Sequence, residues 1–114
     1  MNDLRATLIS VGLTPKEAGN WENLIQNIAD RASVQEDKVS LPILQTLAVD
    51  RLSVSSLNQL DELGLNLSGV FERILGKGFK GSVSRGEVTG DMLGMALTVL
   101  MAADEYQNMV ETED

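Results

Sequence analysis

The sequence predicts an all-α fold: a compact single-domain bundle of five to six short helices around a central apolar C-terminal helix. Three observations carry that expectation. Between Met92 and Ala103 only Thr98 has a polar side chain, with no alternation and no proline, which is the mark of helix rather than strand. Upstream segments repeat their apolar residues at i, i+3, i+4 and i+7. Threonine, proline and glycine sit where such helices start and stop. The apolar run is also too short to cross a bilayer, which needs ~20 apolar residues. It must therefore be covered by amphipathic neighbours, or leave part of its surface to a partner.

The elements follow in order. Asn2 to Val11 forms a short amphipathic helix with Leu4, Leu8 and Val11 on one face, and Gly12 fits its stop. Leu13-Thr14-Pro15-Lys16-Glu17 is the clearest start signal: Thr14 caps, Pro15 takes the first helical position and Glu17 completes a capping box. The helix runs to about Arg31, with Ala18, Trp21, Leu24, Ile25, Ile28 and Ala29 on the core face. Ser33 to Ser40 reads as a polar link. Ser40-Leu41-Pro42 then opens a helix to about Arg51, with Leu41, Leu44, Leu47 and Ala48 inward. Ser53 or Ser55 caps a helix ending at Gly64, with Leu57, Leu60 and Leu63 inward. Leu67, Val70, Phe71, Ile74 and Leu75 define the next helix, ended by Gly76. Gly76 to Thr89 admits two readings: a loop with a hairpin turning at Arg85-Gly86, or a helix that starts at the capping box Ser84-Arg85-Gly86-Glu87. Asp91 to Val110 is the central helix, and about 111–114 is an acidic tail.

Composition narrows the chemistry. The chain of 114 residues has the length of one domain. It has no cysteine and no histidine, which removes disulfides, thiol nucleophiles, zinc sites and imidazole catalysis. The carboxylate pairs Glu36-Asp37, Asp61-Glu62 and Asp104-Glu105 are sequence neighbours, so each points to different helix faces and reads as surface charge. No catalytic residue, metal ligand or cofactor site is assigned. A net charge of -8 repels phosphate backbones and anionic lipid, and suits a basic partner. The N-terminus lacks a basic region followed by an apolar core, so the expected location is cytoplasmic, away from membrane.

Two stretches are candidate contact surfaces. Gly90, Gly94, Thr98 and Ala102 are small residues spaced four apart, so they make a shallow groove along one side of the last helix. Ordinary packing within the chain explains such a groove, and a second protein can also use it. Arg73, Lys77, Phe79, Lys80 and Arg85 form a basic, glycine-rich stretch on an otherwise acidic chain. Its backbone amides and Phe79 suit a small anion or an acidic partner, and pairing with the chain's own acids is the plainer alternative. In an oligomer this stretch could meet the acidic tail. Gly76 to Gly81 also matches a phosphate-loop spacing, but a helix precedes it where that chemistry needs a strand.

Two further patterns lead nowhere chemical. Ser33-Val34, Val39-Ser40 and Ile43-Leu44 echo Ser82-Val83, Val88-Thr89 and Met92-Leu93, and the outline resembles a paired EF-hand with Val39 and Val88 as the pairing positions. Ala32, Val34, Glu36 and Ile43, and Gly81, Val83, Arg85 and Met92, stand where calcium needs carboxylates; only Glu36 is one, so no calcium site is assigned. Gln45 to Ser55 resembles a helix-turn-helix, yet its second helix carries Asp61 and Glu62 and no base. The expected function is a non-enzymatic protein–protein interaction or assembly module, oligomeric, acting through helix surfaces. A small acidic inhibitor that occupies the nucleic-acid-binding site of a larger protein comes second. A weak helix-turn-helix DNA binder comes third.

Overall fold

Seven helices and no strand make up the described part of the chain. The structure is a computed structural model; it describes residues 4–112, with side chains through Ala102. In order the helices are α1 (Leu4–Ser10), α2 (Pro15–Ala32), α3 (Glu36–Val49), α4 (Val54–Asp61), α5 (Leu67–Leu75), α6 (Phe79–Ser84) and α7 (Gly90–Thr112). The bundle holds one continuous apolar core, mostly aliphatic with Phe71 and Phe79, to which every helix contributes. Neither Asn2 nor the acids at Glu113 and Asp114 fall within the described residues.

The start of α2 obeys its sequence. Glu17 N–H donates to Thr14 Oγ1 at 3.2 Å and Thr14 N–H donates to Glu17 Oε1 at 2.9 Å, so two orphan donors are satisfied reciprocally. Ala18, Ile25, Ile28 and Ala29 are buried, and Trp21 and Leu24 are half-buried against the core. Arg5 reaches across from α1 to Glu22 at 2.8 Å.

The third helix departs from expectation. It begins at Glu36, not Ser40, so most of the polar link is helical and Pro42 sits inside the helix. A proline there removes one backbone bond and strains the turn, at roughly 3 kcal/mol. Burial offsets that cost: Val39, Pro42, Ile43 and Thr46 are all buried at i, i+3, i+4 and i+7. The inward face is therefore rotated from the one expected. Leu41 is 54% exposed, Ala48 is exposed, and Leu44 and Leu47 are only half-buried. Glu36 and Asp37 in the first turn face the positive end of the helix dipole.

The segment 76–89 follows neither reading. It forms no hairpin, and α6 ends at Ser84 where a helix was expected to start. Phe79 and Val83 explain the difference: four apart, both are buried, and that anchorage outweighs the local capping signal at Ser84. This extra helix brings the number to seven. Past it, Leu52 N–H donates to Val88 O at 2.8 Å and Gly90 N–H donates to Asp50 Oδ1 at 3.0 Å. Asp50 thus ends α3 in a left-handed conformation and satisfies the first turn of α7. Val39, inside α3, is not the partner of Val88, so the EF-hand outline has no structural counterpart.

The fifth helix shows a second missed role. Asp61 Oδ1 accepts the N–H groups of Leu67 and Ser68, both at 3.1 Å, and Oδ2 accepts the Ser68 hydroxyl. Asp61 is therefore a capping group of α5 rather than surface charge.

Candidate functional site

The last helix packs against α2, α3 and α5. Leu93, Ala96, Leu97 and Met101 are buried on that side. The opposite side is open: Met95 is 60% exposed and Val99 48% exposed, with Asp91, Thr98 and Ala102 exposed beside them. Both large apolar side chains are thus left in good part to solvent.

The four small residues divide between these two environments. A β-carbon at Gly90 would stand 2.9 Å from Leu47 Cδ2, and one at Gly94 would stand 3.0 Å from Trp21 Cζ2. Both glycines therefore admit the chain's own α3 and α2. Thr98 turns its hydroxyl back to Gly94 O at 2.8 Å and remains exposed with Ala102. Between α2 and α7 lies a groove of about 400 Å³, with Trp21, Leu24 and Gly94 on its floor and Asn20, Asn23, Asn27, Asp91 and Thr98 on its rim. Met95 and Val99 were the residues the small-residue pattern passed over. Their signal is the same four-residue spacing, one step round the helix.

The basic stretch is less unified than its sequence. Arg73 ends α5, Lys77 lies in the link, Lys80 sits on α6, and all three are exposed. Phe79 is 5% exposed and belongs to the core, so it cannot stack on or insert into a partner. Arg85 pairs with Glu87 through Nε at 2.9 Å and Nη2 at 3.3 Å. That hydrogen bond, with the attraction between the two charges, raises the Arg85 guanidinium above its ordinary value and holds the Glu87 carboxyl below its own. The plainer pairing within the chain thus accounts for Arg85, while Lys77 and Lys80 have no ion pair among the described residues.

The remaining chemistry is sparse. Among the described residues no cluster of three or more carboxylates is placed to hold a metal. No described helix is long and apolar enough to cross a membrane. The helix pair α3–α4 does meet, with Ser56 Oγ donating to Gln45 Oε1 at 3.4 Å, but α4 presents no Lys or Arg to a phosphate. No protein-family model, curated protein or solved structure matches the chain.

Proposed function

We propose that the protein is a non-enzymatic interaction or assembly module that works through helix surfaces, with α7 as its principal contact element. The observation that supports this reading is the exposure of Met95 and Val99 on a helix whose other side buries Leu93, Ala96, Leu97 and Met101 in the core. Large apolar side chains each gain ~1.5–3 kcal/mol on full burial, so a partner that covers both is favoured. The groove beside them offers amide and hydroxyl rims that add direction to such a contact. A cytoplasmic setting and assembly with further copies of the chain belong to the same reading. The acidic-inhibitor alternative has net charge in its favour and no particular surface.

The test uses residues whose replacement leaves the core intact. Met95→Lys with Val99→Lys should keep the helical circular dichroism and the unfolding midpoint. It should also abolish either the above-monomer mass or the partner capture that the wild type shows. Unchanged mass and unchanged capture in the double variant would remove α7 as the contact element.

A further inference from the structure

The groove between α2 and α7 has a chemistry distinct from that of Met95 and Val99. Its two walls match in length: Asn20 to Asn27 on α2 and Asp91 to Thr98 on α7 each rise about 10 Å, at ~1.5 Å per residue. Asn20, Asn23 and Asn27 stand at i, i+3 and i+7, so they form one ladder along the α2 wall. Asparagine is a poor helix former, and three of them on one face weaken α2. No contact within the chain offsets that loss: among the described residues none of the three amides makes a side-chain hydrogen bond. Asp91 on the facing wall has no ion pair among the described residues, and no Lys or Arg lines the groove. Trp21 and Leu24 lie on the floor, and Trp21 is the single tryptophan of the chain.

We infer that this groove binds an extended, basic segment of a protein partner; this rests on the protein being an interaction module and names the chemistry of what it holds. An asparagine amide carries a donor and an acceptor, which match the C=O and N–H of a peptide unit. Residues two apart in an extended chain lie ~6.6 Å apart and face the same way. Asn23 and Asn27, four apart on α2, lie ~6 Å apart along the helix axis, so they serve alternate peptide units. The length of the groove suits about three residues of such a chain, at ~3.3 Å each. A helical segment would not fit this role, because its backbone groups are already paired with one another. A lysine directed into the groove lays its methylenes on Trp21 and Leu24 and brings its ammonium to Asp91. Charge selects a basic segment over an acidic one. No cation lines the groove, and the net charge of -8 draws the first and repels the second.

Trp21 reports on its own groove, since no other tryptophan contributes to the emission. The full chain is titrated with a short peptide of alternating lysine and alanine, and separately with its glutamate counterpart. The lysine peptide should change the Trp21 emission saturably, and the glutamate peptide should not. Asn23→Ala with Asn27→Ala, both exposed positions, should weaken the binding about tenfold with the helical circular dichroism retained. Asp91→Asn should weaken it several-fold, whereas Glu72→Gln, which removes an equal charge from α5 outside the groove, should leave it within about twofold. No saturable change with the lysine peptide would overturn the site. Unchanged binding in the asparagine variant, or equal weakening by Glu72→Gln and Asp91→Asn, would reduce the contact to diffuse charge and overturn it as well. Emission that shifts with protein concentration alone would put a second copy in the groove in place of the basic segment. Met95→Lys with Val99→Lys leaves every groove residue in place, so failure of the groove and failure of α7's exposed face are read in separate variants.

Discussion

Gly94 shows how a small residue on a helix marks a close approach without naming the neighbour. The absence of a side chain at Gly90 and Gly94 does signal close approach, but the approaching groups are Leu47 and Trp21 of the same chain. Spacing in one helix says that a backbone can come near; it does not say whose. Gly94→Leu should therefore destabilise the monomer by about 1–3 kcal/mol through overpacking against Trp21, read as a lower urea midpoint. A loss of assembly in that variant would report on folding, so Met95 and Val99 are the better probes. Glu17 carries a second prediction at this scale. The Thr14 backbone N–H, and after it the Thr14 hydroxyl, hold its carboxyl below the ordinary 4.5. A depressed folded-state value contributes stability that is complete above 4.5 and lost as pH falls through the lower folded value. Glu17→Gln should flatten the fall of the thermal midpoint in that acid window and leave its neutral-pH shape alone. An equally steep fall in the variant would mean other carboxylates dominate.

Capping boxes and clean periodicity made several elements legible, and tertiary burial hid the rest. Thr14 to Glu17 and Leu67 to Leu75 fold as their local chemistry dictates. The start of α3 was obscured by Pro42, whose usual meaning is a first turn, and only the burial of Val39 and Ile43 shows why the helix begins earlier. α6 was obscured because Phe79 and Val83 are too few to make a pattern and matter only once the core receives them. Of the candidate surfaces, the apolar helix was visible in the sequence but not which side stays open, because that depends on where α2, α3 and α5 lie. The capping carboxylates were the largest omission. Asp61 acts on a helix that starts several residues later, beyond the reach of a local motif. Asp61→Ala should cost about 2 kcal/mol, since it leaves the N–H groups of Leu67 and Ser68 and the Ser68 hydroxyl without their acceptor. Chemical unfolding measures it, and a change within ~0.5 kcal/mol, as for ordinary surface sites, would show that water replaces the carboxylate.

The whole molecule combines a net charge of -8 with the exposed apolar side chains of Met95 and Val99, and the two would oppose each other if copies met there. Each copy repels the next at long range, while those side chains attract only at contact. Salt separates these contributions, because the Debye length shrinks from ~10 Å at 0.1 M to ~3 Å at 1 M and leaves short-range burial untouched. Self-pairing through α7 should therefore tighten several-fold as salt rises from ~50 to ~500 mM, as read by the sedimentation dissociation constant. An acidic protein that worked by occupying a basic nucleic-acid site would behave in the opposite sense, since its attraction is the screened component. The sign of the salt effect thus decides between a partner held by apolar contact and one held by charge. Association that weakens with salt would move the contact away from Met95 and Val99 and towards the acids of the chain or the exposed Lys77 and Lys80.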